Sequence, residues 1–179
     1  TDLPSIFFTN AVLTETLFTT LFMCFLFAAY KWWELKHLRW AALAGLFLGL
    51  ATLTRPVSVH LIWLIPLIGG VFFRKHIKYY TLLGAIAFLT VSPWIIRNYA
   101  TFNRPFLSTI SEVNLLFHNA TAIKSAHSDY SQKQVEYEYR DHLLGDLNFY
   151  EPGSVVPFIR RAKDESFTQI KRHPWTFIK

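Results

Sequence analysis

Glu15 is the single charged side chain in an apolar run covering residues 3–30. Taking a carboxylate into an apolar segment is expensive, so an acid there points to function, here a polar contact to a substrate group. The plainer reading puts Glu15 in the first turn of a helix, at headgroup depth, where it favours the helix dipole. Arg55-Pro56 stands between two uncharged runs. The planar fork of Arg55 suits a phosphate or carboxylate; the plainer reading is a snorkelling cation that ends a helix. Arg97 follows Pro93-Trp94 and precedes Asn98-Tyr99. It too suits a phosphate, while Trp94 and Tyr99 read as an aromatic belt at an interface. Glu112 and Asn114 open the polar part of the chain and could meet a polar acceptor. Asn119-Ala120-Thr121 matches the N-glycosylation triplet, which also arises by chance.

Recognised catalytic strings are missing. The chain has no GxGxxG, phosphate-loop, HExxH or GxSxG pattern. The seven histidines show no ligand spacing, and His118 and His127 are too far apart for a helical metal pair. Any chemistry must rest on isolated polar groups next to apolar helices.

Those helices are what position the polar groups. Of the 179 residues, 52% are hydrophobic and 17% charged, against roughly 25% charged in an average globular protein. Seventeen Phe, eight Tyr and six Trp are more apolar surface than a water-facing core of this size would bury. Charge is uneven: residues 1–96 hold seven Lys/Arg and three Asp/Glu, residues 97–179 eleven and nine. The net +6 is therefore not one basic patch, and no basic–aromatic repeat suggests nucleic acid. Cys24, the one cysteine, has no intrachain partner. Thr1 is not an initiator Met, no basic leader precedes the first apolar run, and Lys179 closes no feature. A piece of a longer chain, cut at both ends, is expected.

A membrane helix needs about twenty apolar residues. Segments near 11–31, 40–54, 57–73 and 79–96 are the expected spans, with 3–10 the end of a preceding helix or an interfacial turn. Pro56 lacks a backbone donor and disfavours helix just before it, so 40–54 and 57–73 are two helices hinged at Thr54-Arg55-Pro56, or a shallow re-entrant hairpin. The fourth run is expected to end at Pro93-Trp94. Two basic stretches, KWWELKHLR at 31–39 and RKHIK at 74–78, read as cytoplasmic. The Arg55 hinge and everything after Arg97 then lie outside. The expected fold class is an all-α membrane protein: about four hydrophobic helical segments within residues 1–98, then an extracytoplasmic polar, largely helical segment over 99–179.

The polar segment has the apolar content of folded protein, including Leu115, Leu116, Phe117, Tyr137 and Leu144. Val135, Tyr139 and Leu143 recur at helical spacing over 131–144. Glu151-Pro152-Gly153 is an expected turn. Residues 157–172 read as an amphipathic helix with Pro157 in its first turn, Phe158, Ile159, Ala162 and Ile170 on its apolar side, and Arg160, Arg161, Lys163, Lys171 and Arg172 around it. Such a helix can lie flat on a membrane or cover a small domain.

The ordered strings LTETLFTTLF at 13–22, AGLFLGLATLTRP at 44–56, SPWIIRNY at 92–99 and AKDESFTQIKRHPWTFI at 162–178 resemble membrane glycosyltransferases of the GT-C fold. The likeness is to the group of protein mannosyltransferases and lipid A aminoarabinose transferases, the broad bacterial branch called glycosyltransferase family 39. It covers most of the chain and is weakest over 124–153. It implies transfer of a sugar from a polyprenyl-phosphate carrier to an acceptor on the extracytoplasmic side of a plasma (inner) membrane. It also implies a catalytic acid in an outer loop that belongs before Thr1, with Asp2 too near the start to be assigned, and places any divalent metal outside these residues. Glu15, Arg55 and Arg97 are then the expected donor-binding residues, and membrane lipids and the lipid-linked sugar the expected partners. A transporter or flippase for a lipid-linked substrate is the alternative, and a membrane scaffold a third.

Overall fold

In the computed structural model the described residues are 3–143, 145 and 152–178, and side-chain surroundings are described for 14–141, 145 and 153–176. Every regular element among them is helical. The chain divides into two compact units, residues 1–96 and 97–179. Asp2, Leu144 and Glu151 lie outside the described residues, and Leu143 is described as backbone only.

The first unit is built on four helices: α1 (Leu3–Leu35), α2 (Leu38–Thr54), α3 (Val59–Phe72) and α4 (Ile77–Phe102), the last of which contributes its residues from Arg97 onward to the second unit. α1 has 33 residues and is about 50 Å long at 1.5 Å per residue. It runs unbroken from Leu3, so residues 3–10 are neither a separate helix nor a turn. Pro4 is its second residue, where a missing N–H costs no internal bond. A left-handed Lys36 (φ 54°) turns the chain into α2. α2 stops at Thr54 because Arg55 is extended (φ −140°, ψ 116°), and a 3₁₀ turn at Pro56–Ser58 leads into α3. Thr52 and Ser58, both buried, bond across this break at 3.0 Å. The 3₁₀ turn Arg74–His76 makes the next connection. Pro93 lies inside α4 and does not end it; the helix continues to Phe102.

Packing in this unit puts small residues inside. Ala28, Ala41, Ala44, Gly45, Leu48, Gly49, Ala51, Leu83, Gly84 and Ala87 are buried. Met23, Trp63, Leu67, Val71, Phe72, Leu89 and Ile96 are among the large apolar side chains left exposed. Gly45 and Gly49, four apart on α2, let the backbone of α4 approach: a Cβ at Gly45 would strike the Leu83 carbonyl oxygen, and one at Gly49 would lie 2.6 Å from Thr90 Cβ. α3 and α4 pack in the same way. A Cβ at Gly69 would enter the Tyr80 ring, and one at Gly84 would sit 2.5 Å from Pro66 Cγ. Near the two basic stretches an aromatic cluster forms, with Trp32 edge-on to Tyr80 at 4.7 Å and the Tyr79 hydroxyl donating to the Lys36 carbonyl at 2.6 Å. Among the described residues one stretch, Arg74–Phe102, is long and apolar enough to cross a membrane; α2 and α3 are apolar but shorter.

The second unit has the opposite composition. α5 (Ile110–Asn114) runs through a wider i→i+5 turn at Leu115–Ala120 into α6 (Thr121–Ala126). α7 (Gln132–Glu138) starts at a capping box, Ser131 and Gln134 satisfying each other's backbone N–H groups, and ends in another wide turn at Tyr139–Leu143. α8 (Val155–Arg172) and the short α9 (Pro174–Ile178) close the unit. Leu116, Ala120, Val135, Tyr139, Phe158 and Ala162 form its core, with Val113, Phe117 and Ile159 packed against it. The apolar side of α8 is thus used inside the unit, and of its two expected uses the structure displays the covering of a small domain.

Candidate functional site

α1 and α2 lie side by side and bring Glu15 and Arg55, forty positions apart in sequence, to a distance of 3.3 Å (Arg55 Nη2 to Glu15 Oε1). Both side chains are about half exposed. In water such a pair contributes about 0–1 kcal/mol, so its interest lies in where it sits. Down the same seam runs an open apolar groove of about 690 Å³, lined by Thr19, Met23, Cys24 and Phe27 of α1 and by Trp40 and Phe47 of α2, among others. Thr19 is one helical turn from Glu15, and its hydroxyl donates to the Glu15 carbonyl at 2.8 Å. Thr20 likewise donates to the Thr16 carbonyl at 2.8 Å. These internal bonds occupy the hydroxyl protons, so the groove offers an almost purely apolar wall. Arg55, just past the end of α2, stands eight residues beyond Phe47. The Glu15–Arg55 pair thus stands about a helical turn beyond Thr19, outside the residues that line the groove.

Arg97 belongs to the second unit and is exposed. Its Nη1 donates to Asn98 Oδ1 at 3.1 Å. Asn98 is buried, and its Nδ2 donates to the Phe106 carbonyl at 2.9 Å, folding the segment after α4 back on the helix end. Asn103, left-handed at φ 54°, makes that reversal. The sequence had given Asn98 no separate role; its burial is what fixes one.

A second concavity, of about 500 Å³, lies within the second unit. Glu112 and Lys163 meet there at 3.2 Å, and the Glu112 side chain is only 13% exposed. Its other carboxylate oxygen, Oε2, is buried and has no hydrogen-bond partner among the described residues. Arg104, Phe106, Ile159 and Arg160 line the same space. The chain's sequence singles out Glu112 but not Arg104 or Lys163 as its neighbours, since three separate segments supply them.

Tyr139, near the core's edge, donates its hydroxyl to Glu165 Oε1 at 2.8 Å, and Gln169 Nε2 donates to the same oxygen at 2.8 Å. Burial first, then the Glu165 carboxylate, pushes the phenol far above its ordinary range. His127 and His173 stack with ring centres 3.7 Å apart. Thr121, the third residue of the glycosylation triplet, is fully buried and donates to the Phe117 carbonyl at 2.6 Å, inside a helical run. Among the described residues no group of three or more His, Cys, Asp or Glu is placed to hold a metal ion. Compared with protein-family models, with curated proteins and with solved structures, the chain finds no match in any of the three.

Proposed function

We propose that this chain belongs to a multi-pass membrane glycosyltransferase of the GT-C type, which moves a sugar from a polyprenyl-phosphate carrier to an acceptor on the extracytoplasmic side of a plasma (inner) membrane. The observation that carries the reading is the apolar α1–α2 groove with the Glu15–Arg55 pair about one helical turn beyond its Thr19. A lipid phosphate has the complementary shape: an apolar tail for the groove and an anionic head for the guanidinium. Residues 1–96 support the membrane part. Glycines at 45, 49, 69 and 84 allow close helix contacts, and many large apolar side chains are exposed, as in bilayers, where close backbone approach drives helix association. On this reading α1, α2, α3 and α4 are the four spans, with 31–39 and 74–78 cytoplasmic and Arg55 and Arg97 outside, although among the described residues only the stretch Arg74–Phe102 has the full length and apolarity of a span.

In the transfer, the bond between the sugar's anomeric carbon and the carrier phosphate breaks. A bond from an acceptor hydroxyl oxygen forms, and that hydroxyl's proton passes to a base. Polyprenyl phosphate leaves as the anion, the species Arg55 stabilises. Glu15, beside it, offers a carboxylate to sugar hydroxyls; Arg97, the third donor-binding residue expected from the sequence, belongs to the other unit.

The test is binding of a polyprenyl phosphate and of the matching polyprenol to detergent-solubilised protein. Arg55→Ala is expected to lower phosphate affinity at least tenfold and leave polyprenol affinity unchanged. Equal phosphate affinity in variant and wild type would return Arg55 to a helix-ending role. A labelled polyprenyl-phosphate sugar separates the transporter alternative: a transferase severs sugar from carrier, whereas a flippase returns the donor intact on the other leaflet.

A further inference from the structure

We infer that the two basic connections of the first unit, 31–39 and 74–78, together form one binding site for the headgroup of an anionic phospholipid. The inference rests on the membrane reading above and not on the sugar donor.

The two stretches are far apart in sequence, yet they are fastened to each other. The Tyr79 hydroxyl donates to the Lys36 carbonyl at 2.6 Å, and the exposed Trp33 ring meets Phe73 edge-on at 5.9 Å. Buried Trp32 lies beneath, 5.8 Å from the Tyr79 ring. The cations therefore stand on one aromatic base and not on two independent turns. Six Lys/Arg are present against a single acid, Glu34. Lys31 takes that acid at 2.8 Å. Lys36, Arg39, Arg74, Lys75 and Lys78 are left without a carboxylate partner among the described residues.

Unmatched charge alone asks only for an anion; its setting selects the kind. Tyr30, Trp33, Leu35, Leu38, Phe73 and Ile77 are all exposed in or beside the same stretches. A soluble anion would meet the charge and leave this apolar rim bare. An anionic phospholipid meets both, with its phosphate on the cations and its glycerol and acyl part on the rim. Lys36 adds an independent sign. Its backbone is left-handed at φ 54°, where a glycine would sit without strain. The turn instead carries a lysine, whose Nζ is held 3.9 Å from the centre of the Trp33 ring. Lys78 Nζ is held likewise, 5.1 Å from the Tyr79 ring centre. Two ammonium groups are thus positioned on rings of one cluster before any ligand arrives.

The experiment is native mass spectrometry of the detergent-solubilised 179-residue chain, offered equal amounts of phosphatidylglycerol and phosphatidylcholine with the same acyl chains. One phosphatidylglycerol is expected to be retained, at about tenfold the level of phosphatidylcholine. Excess glycerol 1-phosphate, a headgroup without tails, should not displace it. Lys36→Gly separates binding from structure: it should keep or raise the thermal midpoint by relieving the left-handed residue, yet lower phosphatidylglycerol retention about fivefold. Lys75→Gln, at an exposed side chain, should lower retention about threefold. Lys133→Gln, an equal loss of charge at an exposed position of the second unit, should leave it unchanged. Equal retention of the two lipids, unchanged retention in the Lys36 and Lys75 variants, or an equal loss in Lys133→Gln overturns the site. Displacement by glycerol 1-phosphate overturns the lipid assignment. Loss of the protein from membranes in alkaline carbonate overturns the membrane reading and this site with it; a protein that stays in the membrane without preferring phosphatidylglycerol overturns the site alone.

Discussion

The two units solve the packing problem in opposite ways. In residues 97–179, Leu116, Val135, Tyr139 and Phe158 are buried while Arg160, Lys163 and Arg172 are exposed, as water requires. In residues 1–96 Ala and Gly make the closest helix contacts beside buried Trp32, Leu48, Tyr80 and Leu83, while Trp63, Leu67 and Phe72 are exposed. On the membrane reading proposed above, the difference reflects which solvent each unit is built for. A core of large side chains gains free energy by leaving water. A seam of glycines gains mainly by close contact, which is what remains when the surroundings are themselves apolar.

The largest expected effect falls on the second unit. Leu116 is fully buried, so Leu116→Ala should remove about 2–5 kcal/mol of its stability, read by urea unfolding. The first unit should respond to the reverse change. Gly45→Ala puts a methyl group against the Leu83 carbonyl, which cannot swing aside, and should cost about 1–3 kcal/mol in detergent unfolding. If Gly45→Ala proved neutral, the close α2–α4 seam would be lost from the comparison.

Alkali should also tell the units apart. The Tyr139 phenol is raised by burial and by Glu165, so the unfolded chain releases this proton from about pH 10 upward while the folded unit keeps it. Stability from this group is intact below pH 10 and falls above it, by about 1.4 kcal/mol per pH unit. Tyr139→Phe should flatten that fall, at a cost near neutral pH of about 1 kcal/mol for the lost hydrogen bond to Glu165. The smallest effect is expected at the other unit's pair: Glu15→Gln should change stability by less than about 1 kcal/mol, leaving its consequences to ligand binding.

Local chemistry made much of the fold readable. Pro56 marks the break between α2 and α3 because it lacks a donor and restrains Arg55 to extended backbone. Ser131 and Gln134 announce the start of α7. Pro93 misleads, because a proline inside a long helix costs only one internal bond and need not end it. Pro4 misleads at the other end for the reason given by its place in the first turn. The sites were less readable. Glu15 and Arg55 stand out singly in the sequence, but their meeting depends on α1 and α2 lying side by side. The spacing of Gly45 and Gly49 could have signalled a close helix contact. Nothing in the spacing of Arg104, Glu112 and Lys163 shows that they share a cavity, since each comes from a different segment and the burial of Glu112 Oε2 arises only on packing.

The central claim is that residues 1–96 lie in a bilayer with the Arg55 hinge on the outer side. Labelling with a membrane-impermeant maleimide in sealed, right-side-out vesicles tests it directly, using single cysteines at Val57 and Lys75 in a Cys24→Ala background. The account predicts that Val57→Cys is labelled at once and Lys75→Cys only after the vesicles are opened. Equal labelling of both before opening, or loss of the protein from the vesicles in alkaline carbonate, would contradict it.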